Sequence, residues 1–439
     1  MANPLNDSLD PPEESARPAA LAEDLFRRES AHLVAALTRL LGPAHLSLAE
    51  DVVQDALVSA LQAWRFGAPD DPRGWILKAA KNRAIDAIRR SRRLAPLPSE
   101  LESNEALSTS MDRVLSDAED GANQLAMMFS CCHEDLSDDT RVTLILRFLC
   151  GLGPREIARA YLVETDTVDR RIHRGRKQLQ SLGRLHDVRA PEEVRARLPS
   201  VLQALYLLFN EGYHGSDADN PLRTAMCSEA LRLTDLLLAS EVTASPEVHA
   251  LAALFCFDAA RLETRTDSDG VFVPLSDQDR SAWNRGLLER GIVHLSASTS
   301  EAELTRWHLE AGIACEHALA PSVAATNWPR IVALYDALWG LVPSSVVALN
   351  RALAIAEIHG PGAGRDAIDA LEGDRRLASY PFYWAALADI ARRAGDPSEA
   401  ARSYERAIAV SRSRAERTAY ERRLSSLVGA LVHPCNGNR

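Results

Sequence analysis

Long hydrophobic runs, paired cysteines and a basic N-terminal leader are all missing from this sequence of 439 residues. Without a run of about 18 uncharged apolar residues, no segment is expected to span a bilayer. The acidic, proline-containing N-terminus lacks the basic start and the apolar stretch of a secretory signal. The seven cysteines are scattered and include no CxxC pair, which excludes a disulfide framework and favours a reducing compartment. We expect a soluble, cytoplasmic protein that does not contact a membrane.

Aromatic residues are scarce, at 5% of the chain, and alternating runs of β-branched residues are almost absent. Apolar residues nevertheless make up 46%, which allows a sizeable core and excludes wholesale disorder. These apolar residues recur at helical spacing, so the sequence predicts an all-α fold. Three stripes show the spacing: Leu33, Leu37, Leu40 and Leu41; Val53, Leu57, Ala60, Leu61 and Trp64; and Leu77, Ala80, Ala84 and Ile88.

The usual signatures of catalysis are also missing, because the sequence contains no Walker loop, GxSxG, HExxH or GxGxxG motif. Cys131, Cys132 and His133 suggest a metal site at first sight. Two adjacent cysteines on a helix cannot easily share one tetrahedral ion, however, and no second ligand pair is near them in the sequence. Buried packing explains these cysteines better. We therefore expect no enzyme activity, no metal and no cofactor.

Charge is distributed unevenly along the chain. The net charge of −11 argues against a generic nucleic-acid binder. Residues 73–93, however, hold eight basic residues and one acid, and residues 170–177 hold five basic residues and no acid. Between them, residues 99–139 hold eleven acids and one base. Two short positive patches thus flank a negative stretch.

Composition divides the chain into five segments. Residues 1–20 are acidic and rich in proline, as in a disordered leader. Helical periodicity covers 21–93 and 123–184, which predicts two small helical domains. The acidic segment 94–122 between them contains prolines and serines and is typical of a flexible linker. A third helical region occupies 191–439.

The end of the third region shows a weak internal repeat. One copy fits the tetratricopeptide pattern of paired helices, with small residues where the helices approach, and a poorer copy lies about 33–35 residues upstream. The clear copy has Arg412 where proline is usual. A tetratricopeptide-like extension is predicted, with an irregular helical bundle as the alternative. The matching residues are Trp384, Leu387, Ala388, Gly395, Ala400, Tyr404 and Ala407.

The strongest local signal is the segment 154–177. Pro154 suits the first turn of a helix, and Thr165 can cap a second helix; Leu162, between them, stands where many such turns have glycine. An apolar seam with a basic face opposite is what a helix-turn-helix needs to hold its second helix in the major groove. A solvated charged face is the alternative. The seam consists of Val168, Ile172, Gly175 and Leu179, and the basic face of Arg170, His173, Arg174 and Lys177.

A second basic helix is predicted over residues 72–93. One face of it, opposite the apolar stripe, carries Lys78, Asn82, Asp86, Arg89 and Arg93. Amide, carboxylate and guanidinium groups supply the donors and acceptors that base edges require, and arginine also contacts phosphates. Taken alone, this helix could equally be a solvated basic face or an RNA- or membrane-binding helix.

Several motifs in order resemble one protein family. The acidic linker and the helix-turn-helix are preceded, in this order, by Asp51-Val-Val-Gln-Asp55, Trp64, Pro72-Arg-Gly-Trp75 and Asn82-Arg-Ala-Ile-Asp86. Over about residues 24–182 this pattern resembles an extracytoplasmic-function (ECF) sigma factor, a promoter-recognition subunit of bacterial RNA polymerase. The remainder is similar to an ECF subgroup with a long helical C-terminal extension. That similarity rests on Leu205–Tyr213, Asp277–Trp283, Thr326–Trp328 and Leu349–Ala352.

The resemblance implies a role for each patch. Asp51, Gln54 and Asp55 would dock on the clamp helices of the largest polymerase subunit. The loop 66–73 and the helix that follows it would recognise the −10 element and hold its opened strand, through Lys78, Asn82, Arg83, Asp86 and Arg89. The helix-turn-helix would contact the −35 element as duplex, through Arg170, Arg171, His173, Arg174 and Lys177. The acidic linker would thread toward the RNA exit channel.

Neither patch has enough cations for tight independent binding. Two weak DNA-binding surfaces that a large partner holds together gain effective concentration. We therefore expect weak promoter binding by the free chain and specific binding by its complex with core polymerase. The predicted function is promoter-specific transcription initiation, with an extension that regulates it in cis and that can bind a further protein partner. The alternatives are an operator-binding regulator with a helical sensor domain and a helical-repeat scaffold.

Overall fold

The computed structural model consists of helices and their connections, which confirms the predicted all-α class. Within the described residues the β contact is limited to an isolated bridge between Thr266 and Phe272. The chain forms two compact units, Met1–Ala204 and Leu205–Arg439. Some predictions fall on residues outside the described ones, namely 1–15, Phe66, 92–103, Leu162 and Arg412. The described residues are 16–65, 67–91, 104–161, 163–186, 188, 190–214, 222–299, 303–371, 373, 375–411 and 413–432.

The first unit is built from helices α1 to α8 and the start of α9. The apolar stripes of α1 and α3 lie where the helical spacing predicts them, because Leu33 and Leu37 of α1 and Ala80 and Ile88 of α3 have no exposed surface. The helices are α1 (Ala16–Leu41), α2 (Leu46–Ala63), α3 (Pro72–Ser91), α4 (Asn104–Val114), α5 (Asp117–Ser130), α6 (Asp138–Phe148), α7 (Pro154–Tyr161), α8 (Thr165–Gln180) and α9 (Pro191–His214).

The segment predicted as a flexible acidic linker is helical from Asn104 onward. Leu107 and Met111 are fully buried, and α4 packs on α1 and α3. Asp112 of α4 also forms an ion pair with Lys81 of α3. Two apolar residues one turn apart are thus enough to anchor this short helix, although serine and acidic residues dominate its surroundings.

Helix α9 runs through the boundary between the two units. Its first half packs within the first unit, where Arg197 Nη1 donates a hydrogen bond to the Phe129 carbonyl oxygen at 3.3 Å and Ser200 Oγ donates one to Asp138 at 3.4 Å. The extension predicted to start at residue 191 therefore contributes half a helix to the first unit.

The second unit is a succession of helices with antiparallel pairs near its end. In the predicted repeat, α18 and α19 are joined at Gly395, whose positive φ of 80° suits glycine, and Ala400, Tyr404 and Ala407 are buried. The tetratricopeptide assignment itself stays a prediction. The helices are α10 (Thr224–Leu238), α11 (Pro246–Ala259), α12 (Arg285–Ala297), α13 (Arg306–Leu319), α14 (Trp328–Leu341), α15 (Ser345–His359), α16 (Pro361–Asp369), α17 (Arg375–Ala378), α18 (Pro381–Arg393), α19 (Pro397–Val410) and α20 (Arg414–Val432).

The cysteines within the described residues are reduced and mostly buried. Burial raises the pKa of Cys132 to about 12 and that of Cys256 to about 11, so these thiols are protonated and unreactive at neutral pH. In the described ranges no group of three or more histidine, cysteine or acidic residues could hold a metal ion.

Candidate nucleic-acid interface

Helix α8 is held in place by an apolar seam. Val168, Ile172, Gly175 and Leu179 are all buried, as their spacing predicts. Gly175 matters sterically: a Cβ atom at this position would lie 2.5 Å from Leu144 of α6. The absence of a side chain therefore lets α6 and α8 approach closely, and this contact sets the direction of the opposite face of α8.

The opposite face of α8 is open to solvent. His173, Arg174 and Lys177 are exposed. Arg170 is exposed too, and its guanidinium donates hydrogen bonds to the Asp166 carbonyl oxygen at 3.2 Å and to Thr167 Oγ1 at 3.3 Å. Four groups that can donate to DNA thus line one side of a single helix, which is the arrangement that a recognition helix requires.

Arg171 does not belong to this exposed face. Its guanidinium forms an ion pair with Asp139 of α6 at 2.5 Å and lies over the Tyr161 ring, 5.1 Å from the ring centre. The side chain is 18% exposed. Arg171 was predicted to contact DNA together with its neighbours, whereas the structure places it between α6, α7 and α8.

The basic helix α3 presents the predicted polar face. Lys78, Asn82, Asp86 and Arg89 are exposed, and the Asp86 carboxylate lies 3.4 Å from Arg89 Nη1. Arg83 points elsewhere, since its guanidinium hydrogen-bonds Ser59 of α2 and lies 3.8 Å from the Asp55 carboxylate. The structure therefore brings four of the five predicted α3 residues together and places Arg83 against α2.

Helix α2 carries a mixed polar and apolar exposed stripe. Asp51, Gln54 and Asp55 are exposed, and the stripe continues one turn further with Val58 and Leu61, which are 50% and 57% exposed. The helical spacing predicts Leu61 as part of the buried stripe, and this prediction is wrong. The signal was present in the sequence, because residues 51, 54, 55, 58 and 61 repeat at helical intervals.

Three aromatic side chains near α3 pack on each other. The ring centres of Phe26 and Trp64 are 5.4 Å apart, and those of Trp64 and Trp75 are 5.6 Å apart in an edge-on arrangement. The two indoles thus tie α1, α2 and the start of α3 together. Since Trp64 and Trp75 take part in this packing, they leave little aromatic surface for stacking on unpaired bases.

Two ion pairs join α1 and α2 to the helix-turn-helix. Arg27 Nη1 of α1 lies 3.2 Å from the Glu156 carboxylate of α7 and 3.3 Å from the Gly151 carbonyl oxygen. Arg176 Nη2 of α8 lies 2.7 Å from the Glu50 carboxylate of α2. These contacts connect residues more than 120 positions apart, and no local pattern in the sequence predicts them.

An open cleft of about 300 Å³ lies beside these ion pairs, with Phe26, Glu50, Gln54 and Arg147 among its lining residues. Burial raises the pKa of the Glu50 carboxyl above its ordinary value, although Arg176 and Arg147 act in the opposite direction. The cost of removing the Glu50 carboxylate from water therefore outweighs its attraction to the two arginines.

The structure also bears on the membrane prediction. In the part of the chain that it describes, none of the helices combines the length and the apolar character needed to cross a bilayer.

Comparisons with known proteins agree with the geometry of the first unit. Residues 25–94 match the family described as Sigma-70 region 2, and residues 126–179 match Sigma-70, region 4. Residues 197–299 match a family of unknown function, DUF6596. Solved structures offer no match.

Relatives extend the similarity over most of the chain. An uncharacterized protein of Rhizobium meliloti (strain 1021) is 34% identical over 379 residues, which are 85% of this chain and 88% of that protein. The ECF RNA polymerase sigma factor SigE of Mycolicibacterium smegmatis is 27% identical over 160 residues, covering 36% of this chain and 60% of SigE. SigW of Bacillus subtilis, also an ECF RNA polymerase sigma factor, is 29% identical over 148 residues, covering 32% and 78%.

The paired helical domains of the first unit define a sigma factor of the sigma-70 type. The chain belongs to the extracytoplasmic-function sigma factors, in a form in which regions 2 and 4 are followed by a long helical C-terminal domain.

Proposed function

We propose that this sigma factor directs core RNA polymerase to promoters through three surfaces of its first unit. The observation that carries the proposal is the exposure of three separate faces, each with its own chemistry. The α8 face is basic, the α3 face mixes amide, acid and basic groups, and the α2 stripe mixes polar with apolar groups.

The chemistry of each face suits a different contact. Arg170, Arg174 and Lys177 offer cationic donors for the phosphates and guanine edges of the −35 duplex. Asn82 and Asp86 add the hydrogen-bonding variety that base recognition at the −10 element needs. Exposed Val58 and Leu61 are typical of a protein interface, because burying them gains free energy only when a partner covers them. We assign the α2 stripe to core polymerase, with Asp51, Gln54 and Asp55 at its start.

Run-off transcription with purified core polymerase tests this function. The complete chain should produce a transcript from a promoter that carries both elements, and the free chain should bind the same duplex weakly. An operator-binding regulator would instead bind the duplex tightly without polymerase. A helical-repeat scaffold would neither bind DNA nor support transcription.

We also propose that the C-terminal extension regulates the first unit in cis. Its size and its acidic balance of 25 basic and 32 acidic residues over 191–439 motivate the proposal, since helical assemblies of this size suit partner binding. Because the first half of α9 packs within the first unit, a chain ending at Ala204 preserves that packing, whereas one ending at Pro191 removes it. Transcription by the chain 1–204 should differ from that by the complete chain, and equal output with equal polymerase affinity would contradict the regulatory role.

A further inference from the structure

A cluster of charged and aromatic side chains lies at the end of α11 in the second unit. Tyr213 Oη donates a hydrogen bond to Asp258 Oδ1 at 3.5 Å, and Arg261 Nη2 lies 3.6 Å from the same carboxylate. Arg261 and Arg265 both lie against the Tyr213 ring, with their guanidinium carbons 5.5 and 3.7 Å from its centre. Two cations thus surround a single aromatic ring and a single carboxylate.

A small cavity opens next to this carboxylate. Its lining includes Asp258, Arg261, Trp283 and His317, and about 40 Å³ is open to the centres of water-sized molecules. One water molecule needs about 10–15 Å³ on this measure. The cavity therefore has room for about three waters, which is comparable to a carboxylate or phosphoryl group.

Several nitrogen atoms of this cluster have no hydrogen-bond partner. Arg280 stacks on Trp283, 5.0 Å from the ring centre, and its Nη1 donates to the carbonyl oxygens of His317 and Ala320 at the end of α13. Within the described residues, however, Arg280 Nη2, Arg265 Nε and His317 Nδ1 are buried without a partner. Buried polar atoms in folded proteins are nearly always satisfied, so three such atoms in one side-chain cluster call for an external partner.

The charge balance shows what kind of partner fits. Asp258 is paired with Arg261. Arg265 acts electrostatically on Asp258 and on Glu416, but neither Arg265 nor Arg280 forms an ion pair at contact distance within the described part of the chain. Burial and the neighbouring Arg261 lower the pKa of Arg280, and burial together with Arg261 and Arg280 lowers the pKa of His317 to about 4. Water can accept from the unsatisfied N–H groups of the two arginines, but only an anion also balances their charge, which no carboxylate in contact with them neutralises within the described residues.

We propose that this cluster, defined by Tyr213, Asp258, Arg261, Arg265, Arg280 and His317, binds a small oxyanion: the carboxylate or the phosphoryl group of a ligand. Guanidinium groups bind both kinds of oxyanion through paired N–H donors. The site belongs wholly to the second unit and does not rest on the proposed function of either unit.

Isothermal titration calorimetry of the complete chain tests the proposal. Sodium phosphate and, separately, sodium succinate are titrated in chloride buffer of constant ionic strength. One of the two anions should saturate a single site, and the anion that does so identifies the source of the oxyanion. Arg265→Gln should weaken this binding at least about tenfold, because a charge-assisted contact is lost.

Arg306→Gln is the matched control. Arg306 also lies over an aromatic ring, 4.9 Å from the centre of Tyr206, but its charge is paired with Glu310 at 2.8 Å, so its replacement should leave anion binding unchanged. If neither anion saturates at millimolar concentration, or if both variants weaken binding equally, the proposal is overturned. Should Arg265→Gln fail to fold, hydrogen exchange of the unaltered chain decides: the bound anion should slow exchange in 258–265 and 278–283, and unchanged exchange there would refute the site.

Discussion

Two arginines of α8 allow the proposed DNA contact to be tested separately from a positioning role. Arg174 is exposed, whereas Arg171 is tied to Asp139 and Tyr161. We predict that Arg174→Ala lowers run-off transcription about tenfold, the effect of losing one good base or phosphate contact, without changing thermal stability. Arg171→Ala should instead lower the free energy of unfolding by about 1 kcal/mol.

Measuring both variants on two promoters decides between these roles. The penalty for Arg174→Ala should shrink when the −35 element is scrambled, because no specific contact is left to lose. An equal penalty on intact and scrambled promoters would show that Arg174 does not recognise the −35 sequence. A fully stable Arg171→Ala variant would show that the contacts with Asp139 and Tyr161 carry no weight.

Leu61 offers a test of the α2 stripe. Because its side chain is 57% exposed in the free protein, Leu61→Ser should leave folding unchanged. If core polymerase covers this position, the loss of buried apolar area costs about 1.5–3 kcal/mol, or roughly tenfold or more in affinity. Val293→Ser in the second unit is the matched control, since Val293 is 66% exposed. Equal polymerase affinities of the two variants, measured by fluorescence anisotropy, would remove Leu61 from the interface.

At the scale of helices, Gly175 determines how closely α8 approaches α6. We predict that Gly175→Ala lowers the free energy of unfolding by about 1–3 kcal/mol, because the added methyl group overlaps Leu144. Hydrogen exchange should quicken in α6 and α8. Gly340→Ala, also within a helix but with open space around the position, should stabilise the chain by about 0.5–1 kcal/mol. A Gly175→Ala variant as stable as Gly340→Ala would mean that the contact between α6 and α8 readily adjusts.

The helical elements show what local pattern can predict. The buried seam of α8 and the exposed faces of α3 and α8 follow from spacing alone, because burial repeats with the helical period. The helix 104–114 escaped prediction because its two apolar anchors, Leu107 and Met111, are surrounded by serine and acidic residues. The directions of the Arg83 and Arg171 side chains depend on partners in other helices, which spacing within a single helix cannot reveal.

At the scale of the whole first unit, the two helices that we propose to contact DNA, α3 and α8, are held within a body smaller than a promoter. A compact chain of 204 residues measures roughly 40–45 Å across. By their numbering, positions −10 and −35 are about 25 base pairs apart, or roughly 85 Å along B-DNA at 3.4 Å per step. If the first unit binds both elements at once, as we propose, the contacts between α1 and α7 and between α2 and α8 must therefore separate.

Of the two ion pairs that join α1 and α2 to the helix-turn-helix, Arg27–Glu156 is a better target for mutation than Arg176–Glu50. The raised pKa of Glu50 shows that burial cancels much of its attraction to Arg176, whereas Arg27 and Glu156 are only 14% and 16% exposed and make several contacts. We predict that Arg27→Glu, which sets two acids against each other, increases the radius of gyration in small-angle scattering and strengthens core polymerase binding. The exchanged pair Arg27→Glu with Glu156→Arg should restore the original values, and unchanged scattering of the single variant would show that this ion pair does not hold the domains together.

The Cys150 thiol provides a chemical probe of how often the contacts between α1 and α7 open. Cys150 is 2% exposed and precedes Gly151, whose carbonyl oxygen accepts from Arg27. A thiol reagent can modify it only during the moments when the surrounding structure has opened, so the labelling rate of this single side chain follows the frequency of opening. Cys227 and Cys256 in the other unit serve as unreactive references. Faster labelling of Cys150 when core polymerase is added would show that polymerase binding favours the open arrangement.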